Sequence, residues 1–259
     1  MLPPSHGVPS AILLFFAALL GGVMNAVAGG GSFVTFPTLL FTGVPAVPAN
    51  ATNTVALWTG LAFSGSAFRH HLNVRRAVLV TLMTVSLTGG TIGALLLLHT
   101  PAQTFMRVLP WLMLAATLLF IFGRKLIRPG SPEVSQDVST RAIVLASFFQ
   151  LLVAVYGGYF GGGMGIVILA MLTAFGMADI HEMNALKIML SSSTNGIAVI
   201  VFIASRAVYW REAVIMVIGA SLGGYFGARY SLQLPQKWVR WFVISVGSAM
   251  TAYFFVRAY

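Results

Sequence analysis

The sequence predicts an all-α integral membrane protein, with about eight full transmembrane helices and two short helices broken by glycine, built as two homologous repeats. Three observations support this fold class. Of the 259 residues, 58% are hydrophobic and only 8% are charged, against about 25% charged residues in an average soluble domain. Apolar stretches of about 20 residues, the length that spans a bilayer, recur along the chain. One pattern of glycine, asparagine and proline occurs twice.

Composition also excludes several functional classes. The chain has no cysteine, which excludes a disulfide framework, cysteine-ligated metal sites and thiol catalysis. Its formal charge is +10, but the Lys and Arg residues mostly flank apolar segments, as topology signals do. No basic stripe typical of a nucleic-acid interface is visible. We therefore expect no nucleic-acid partner.

The first half is predicted to contain one long helix, one short helix and three further long helices. Ala26-Val27-Ala28 in the first helix resembles a signal-peptidase site. Met1 to Pro9 contain no Lys or Arg, however, and the segment has a counterpart later in the chain, so we expect it to be retained. The short helix would rise only about 17 Å. The predicted bounds are 10–28, 32–42, 49–68, 76–98 and 104–123, with the prolines of 43–48 interrupting the helix.

A polar linker at 124–140 separates the first repeat, 1–123, from the second repeat, 141–259. The linker contains the basic cluster Arg124, Lys125 and Arg128. Because short basic loops stay in the cytoplasm, we expect the linker to be cytoplasmic. The second repeat has the same order of elements as the first, with predicted helices at 141–158, 164–176 (short), 183–204, 211–229 and 238–256.

A shift of 134 positions aligns the two halves without a gap. The shift superimposes Asn50-Ala51 on Asn184-Ala185, Gly29 on Gly163, Gly89-Gly90-x-x-Gly93 on Gly223-Gly224-x-x-Gly227, and Pro101 on Pro235. Such duplication is typical of transporters whose substrate site lies between the two copies. The distribution of Lys and Arg leaves both parallel and inverted copies open.

Glycine clusters at the starts of the two short helices indicate a binding site. In a bilayer, irregular backbone persists only where it lines a cavity or is buried in protein, and paired glycine-interrupted segments point to a transporter's site. Helix N-termini present free N–H groups, which suit an anion. The alternative is close helix packing through small residues. We favour the site for the clusters at 29–31 and 161–165, and packing for the motifs at 89–93 and 223–227.

A lysine lies within one predicted span, where charged residues are rare and usually functional. Asn184, Lys187, Ser191 and Asn195 follow one another at about one helical turn and should share a face. The alternative is a lysine that extends to the interface, with hydroxyls bonded to their own helix. We favour a polar stripe that contributes one positive charge to a site.

Other functional classes have weaker support. Asp179, His181 and Glu182 precede Lys187 and could relay protons, although a solvated helix cap is the commoner role for such groups. Zinc-protease and P-loop motifs are absent. The rival is an intramembrane hydrolase that uses Ser191–Ser193 with Lys187 as base, which the scarcity of His and acidic residues in the spans disfavours. A channel or a non-transporting membrane subunit is a third alternative.

Several segments resemble the sulfite exporter TauE/SafE family of membrane permeases. The segment Gly29–Leu39 resembles its glycine-rich, proline-containing signature, and Ala49–Asn53 resembles the element that follows it. In the second half, Gly158–Gly165 and Asn184-Ala185-Leu186-Lys187 are similar to the repeated signature. The second short helix departs from the pattern, because Met171 stands where the first has Pro37.

The resemblance implies a secondary carrier of sulfite, sulfonates or similar small organic anions in the bacterial cytoplasmic membrane. We expect coupling to the proton gradient or membrane potential, with no cofactor, metal or catalytic residue. The expected partners are a small anion and the lipid bilayer, and both a monomer and a homodimer stay open. The predicted substrate-binding residues are Gly29, Gly30, Gly31, Ser32, Asn50, Thr52, Asn53, Gly161, Gly162, Gly163, Gly165, Asn184, Lys187, Ser191 and Asn195.

Overall fold

A computed structural model describes residues 8–27, 29–68, 74–126, 140–177, 179–230 and 236–259, and these residues form helices and no strand. Eight of the described helices have 20 to 25 residues, enough to rise about 30 Å or more, the thickness of a hydrocarbon core. The helices are α1 (Val8–Val27), α2 (Ser32–Phe41), α3 (Ala46–Phe68), α4 (Arg76–His99), α5 (Ala102–Leu126), α6 (Thr140–Tyr159), α7 (Met164–Ala174), α8 (Ile180–Ala204), α9 (Trp210–Tyr230) and α10 (Gln236–Ala258).

The order and types of these helices match the prediction, with two corrections at the ends. Helix α3 begins at Ala46, inside the segment 43–48 that we expected to be non-helical. Pro48 is tolerated there because the first turn of a helix needs no backbone donor. Helix α5 continues to Leu126 and so takes up the start of the predicted linker, whose residues 127–139 lie outside the described part of the chain.

The helices expose apolar side chains outward. Among the described residues, five helical stretches combine the length and apolar composition of a membrane span: Val8–Ala26, Arg76–His99, Ala102–Phe122, Glu182–Ala204 and Trp241–Ala258. Large side chains on the outside of the protein include Phe16, Trp111, Phe148, Ile200 and Phe226, all more than a third exposed. Exposed apolar surface on this scale suits lipid rather than water.

Helices from both halves of the sequence combine into two bundles. The first bundle contains α1, α2, α3 and α9, and the second contains α6, α7, α8 and α4. Small residues allow the closest approaches. A Cβ on Gly223 of α9 would lie 2.0 Å from the Leu19 carbonyl oxygen of α1, and a Cβ on Gly93 of α4 would lie 2.1 Å from the Val155 carbonyl oxygen of α6. The predicted packing role of both glycine motifs is confirmed.

Contacts along each helix pair reveal the direction in which the helices run. In the first bundle, Gly223 faces Leu19 and Gly227 faces Val23, so α9 and α1 run the same way. In the second bundle, Gly89 faces Leu151 and Gly93 faces Val155, so α4 and α6 are parallel too.

Helices α5 and α10 instead pack antiparallel to each other. Trp111 near the start of α5 contacts Phe255 near the end of α10, whereas Thr117 lies beside Gly247, earlier in α10. The pair covers one side of the two bundles, where Phe36 of α2 contacts Phe105 of α5 and Phe254 of α10. The bundles themselves meet where α3 crosses α8.

Candidate functional site

A cavity of about 70 Å³ lies between the two bundles, large enough for a few water molecules or one small anion. Nine of its lining residues belong to the first bundle and its loop, and nine belong to the second. The cavity therefore lies on the interface between the bundles. It brings together ten predicted site residues: Gly29, Gly30, Ser32, Asn53, Gly161, Gly163, Gly165, Lys187, Ser191 and Asn195.

Both glycine loops border this cavity, and their backbone conformation requires glycine. The φ angles of Gly29 and Gly30 are 78° and 93°, and those of Gly161 and Gly163 are 77° and 75°. Side chains with a Cβ rarely adopt this left-handed region. These four residues let the chain reverse within the interior of the protein and begin α2 and α7 at the cavity wall.

Two other glycines of the clusters do not line the cavity. A Cβ on Gly31 would lie 2.3 Å from the Gly21 carbonyl oxygen of α1, so Gly31 allows α2 to pack closely on α1. A Cβ on Gly162 would lie 2.6 Å from the ring of Phe160. At these two positions the contacts favour helix packing, the alternative that we weighed against a binding site.

Asn53 joins the first glycine loop to α3. Its amide nitrogen donates to Ser32 Oγ at 3.2 Å, and the Thr35 hydroxyl donates to its Oδ1. Asn53 is buried while Ser32 is half-buried at the cavity wall. The network therefore orients the start of α2 toward the cavity through neutral groups.

Asn50 and Thr52 do not line the cavity. Their hydrogen bonds instead connect α3 to neighbouring helices. The Asn50 amide nitrogen donates to the Tyr159 carbonyl oxygen at 2.9 Å, which ties α3 to the end of α6. Thr52 Oγ1 accepts a hydrogen bond of 3.0 Å from the Tyr209 amide, which ties α3 to the start of α9. The second glycine loop is held by the Tyr156 hydroxyl, which donates to the Gly162 carbonyl oxygen.

Lys187 provides the charge of the cavity. Its Nζ donates to Asn184 Oδ1 at 2.9 Å, so Asn184 orients the lysine without lining the cavity. Gly165 makes room for the lysine stem, since a Cβ there would lie 3.3 Å from Lys187 Cδ. Ser191 and Asn195 follow Lys187 on α8 and line the same cavity. The predicted polar face of this helix is confirmed.

Lys187 and Asn53 stand 134 residues apart, so they occupy the same position in the two halves of the sequence. Both line the cavity. Ser32 and Thr35, which bind Asn53, correspond to Ile166 and Leu169 on α7. Those apolar side chains offer Lys187 no hydrogen bond. The two halves thus contribute a closed neutral network on one side and an ammonium group on the other.

Several residues of the cavity wall were not predicted from the sequence. Asn25, Thr54 and Trp58 line it with polar groups. An apolar wall is added by Leu57, Leu61, Phe160, Met164 and Leu169. A sequence signal existed for Asn25, which is a polar residue near the end of an apolar helix and four positions before Gly29. Trp58 gives no such signal, because a tryptophan in an apolar helix is ordinary.

The residues that a proton relay or a hydrolase would use lie in less favourable positions than those of the cavity wall. Asp179 is exposed at the start of α8, and its backbone carbonyl accepts from the Met183 amide. The side chain of His181 lies outside the described residues. Of the serines 191–193, only Ser191 lines the cavity, while Ser193 Oγ donates to the Met189 carbonyl oxygen at 2.9 Å.

Comparisons with known proteins identify a family of membrane transporters. The family model described as sulfite exporter TauE/SafE matches residues 14–254. A probable membrane transporter protein, ORF9, of Sinorhizobium sp is 30% identical over 243 residues, covering 92% of this chain and 89% of the relative. A probable membrane transporter protein of Haemophilus influenzae is 27% identical, covering 95% and 94%. The Escherichia coli K12 probable membrane transporter protein YfcA is 29% identical, covering 93% and 87%. No solved structure matches the chain.

Proposed function

The chain belongs to the sulfite exporter TauE/SafE family of multi-pass membrane transporters, and we propose that it is a secondary carrier of a small anion such as sulfite or a sulfonate. The observation that carries this proposal is the ammonium group of Lys187 in a cavity shared by two glycine loops. An anion is the ligand that a single half-buried cation and neutral donors would recognise.

In the proposed complex, Lys187 neutralises the charge of the anion. Ser191 and Asn195, one and two turns further along α8, would donate hydrogen bonds to its oxygens. Backbone N–H groups near Gly29–Ser32 and Gly161–Gly165 would complete the shell, because the N-terminal ends of α2 and α7 favour negative charge. Lys187, Ser191, Asn195 and residues of both glycine loops border one cavity, which supports a shared ligand.

The proposed architecture is a pair of inverted repeats, in which each copy crosses the bilayer an odd number of times and the two copies therefore start from opposite sides. The packing supports this, because the pairs α1–α9 and α3–α9 recur as α6–α4 and α8–α4 when each helix is replaced by its 134-residue counterpart. The counterparts α5 and α10 run antiparallel, whereas copies in a parallel arrangement would point their equivalent helices the same way. In this architecture the linker with Arg124, Lys125 and Arg128 lies in the cytoplasm.

Alternating access would follow from movement between the two bundles. The cavity lies on their interface, and each bundle supplies one glycine loop. Rocking of one repeat-related bundle against the other around a central site is a general way in which carriers expose a substrate to each side in turn. Because the sequence contains no nucleotide-binding motif, the proposed energy source is the proton gradient or the membrane potential.

Transport in proteoliposomes tests this proposal. The purified protein would be reconstituted, and the uptake of labelled sulfite, sulfonates and carboxylates measured with and without an imposed pH gradient. We expect saturable uptake that unlabelled substrate inhibits. Lys187→Met should abolish it, while Arg107→Met, which removes an exposed cation from α5, should not.

The alternative functions predict different outcomes in this assay. Movement of none of the anions under either gradient would contradict the carrier and favour an enzyme or a non-transporting subunit, which serine-reactive probes would then separate. Ion conductance without saturation or exchange would indicate a channel.

A further inference from the structure

We propose that the site accepts anions of a single negative charge that carry a small apolar group, and discriminates against doubly charged anions and zwitterions. The inference rests on the proposed carrier function and specifies the class of substrate. Its basis is the charge balance and the apolar wall of the cavity.

Lys187 is the one charged side chain among the described residues that line the cavity. The chain has five acidic residues. Glu133 and Asp137 belong to the linker, and Asp179, Glu182 and Glu212 are not part of the cavity wall. A bound monoanion therefore gives a neutral site. A dianion leaves one charge without a counter-charge in a low-dielectric interior, which is strongly unfavourable.

The same charge balance disfavours zwitterions. A substrate with an ammonium group next to its anionic group would bring a second positive charge close to Lys187. Among the described residues, no carboxylate borders the cavity to compensate it. Like charges at close range repel more strongly inside a protein than in bulk water, because the dielectric screening is weaker there.

The position in the first half that corresponds to Lys187 is occupied by Asn53, not by a second cation. Asn53 contributes no net charge, and its hydrogen bonds to Ser32 and Thr35 hold it in place. Of the two matched positions at the cavity, only one is charged. The site is thus built for one unit of charge.

Apolar side chains form one part of the wall. Leu57, Leu61, Met164 and Leu169 line the cavity together with Phe160. Transfer of a methyl or short alkyl group from water to such a surface is favourable. A further charged oxygen placed against these side chains would lose its hydration, because Leu, Met and Phe side chains offer no hydrogen-bond donor. An alkyl sulfonate therefore fits this wall better than a fully oxygenated anion of similar size.

Methanesulfonate and sulfate provide a matched test, because they share a tetrahedral sulfur and differ in one methyl group and one charge. Both would be used as inhibitors of labelled methanesulfonate exchange in proteoliposomes, with taurine as the zwitterion. We expect methanesulfonate to compete and sulfate to be at least about tenfold weaker, a difference of about 1.4 kcal/mol in binding. Taurine should not compete.

Variants of two lining residues extend the test. Asn195→Lys adds a second cation at a half-buried position of the cavity wall and should raise the affinity for sulfate relative to methanesulfonate. Lys187→Arg should keep the preference for the monoanion, whereas Lys187→Gln should lose both anions. Thermal unfolding of each variant in detergent would verify that it is folded.

The outcomes separate this inference from the proposed function. If the wild-type protein moves methanesulfonate and sulfate equally well, the charge inference is wrong and the carrier function stands. An unchanged preference in folded Asn195→Lys protein would also overturn the inference. If the wild-type protein moves no anion at all, the proposed function fails and this inference fails with it.

Discussion

Trp58 of α3 donates a hydrogen bond of 3.0 Å from Nε1 to the carbonyl oxygen of Ser192 in α8, and these two residues stand 134 positions apart, the offset that aligns the two halves of the sequence. In the proposed two-repeat architecture, residues that contact their own counterparts lie close to the axis that relates the two copies. Gly196 receives the indole, since a Cβ there would lie 3.1 Å from Trp58 Nε1. The crossing of α3 and α8 therefore joins the two bundles beside the cavity.

Replacing Trp58 tests this crossing. Trp58→Phe keeps an aromatic ring but removes the donor, so we expect a loss of about 1 kcal/mol in unfolding free energy and a slower exchange rate. Thermal unfolding and proteoliposome exchange would measure the two effects. Trp210→Phe is the matched control, because Trp210 is 54% exposed at the start of α9. Equal exchange rates in wild-type protein and Trp58→Phe would contradict a role of the crossing in transport.

Removal of the charge in the cavity tests the site. Lys187→Met keeps the length and apolar stem of the side chain but eliminates the ammonium group. We expect binding of the anion to fall by at least about tenfold, because no other cation among the described lining residues can neutralise it. Stability should not fall, since an uncompensated cation is removed from the interior. Anion transport that persists in folded Lys187→Met protein would show that the site is elsewhere.

Substituting two glycines that have similar φ angles can distinguish a role of the second glycine loop in transport from a role in folding alone. Gly163 and Gly176 have φ angles of 75° and 87°, and alanine at either position should cost about 1–2 kcal/mol. Gly163 lies at the cavity, whereas a Cβ on Gly176 would meet nothing within 4 Å. We expect both variants to unfold at lower temperature but only Gly163→Ala to lose transport. Equal transport in the two variants would argue against a functional second glycine loop.

Substituting a glycine at a helix–helix contact should instead lower the stability and yield of the folded protein. A Cβ on Gly93 would lie 2.1 Å from the Val155 carbonyl oxygen, so Gly93→Ala must push α4 away from α6. Such overpacking typically costs about 1–3 kcal/mol. The yield of folded protein and its melting temperature would measure the loss. Ile92→Leu, at a neighbouring position that is 41% exposed, should leave both unchanged.

The inverted architecture can be tested by single-cysteine labelling, because the chain has no cysteine of its own. Arg75 precedes α4, and Ser205 follows α8 beside the start of α9; both are exposed. The hydrogen bond between Tyr209 and Thr52 places the turn after α8 near the start of α3, opposite Arg75. An impermeant thiol reagent should label Ser205→Cys in intact cells, and Arg75→Cys only after permeabilisation. Labelling of both from one side would contradict this architecture.

Much of the fold was predictable because each of its signals is local. Apolar length predicts a span, and glycine and proline predict an interruption, within a window of about 20 residues. Asn53, Lys187 and Asn195 were predictable site residues, since each is a polar side chain in an apolar helix. Trp58 was not, because its role depends on what α8 places opposite it.

The sequence by itself determined that this protein is a helical membrane protein with two short glycine-started helices and one lysine within a span. Composition and periodicity suffice for these conclusions, since every backbone hydrogen bond in a bilayer must be made within the segment. Only the tertiary structure decided that α1 packs on α9 and α6 on α4, and that Gly31, Gly162 and Thr52 serve packing rather than line the cavity. Those outcomes depend on which side chains meet across more than a hundred residues, and no local pattern contains that information.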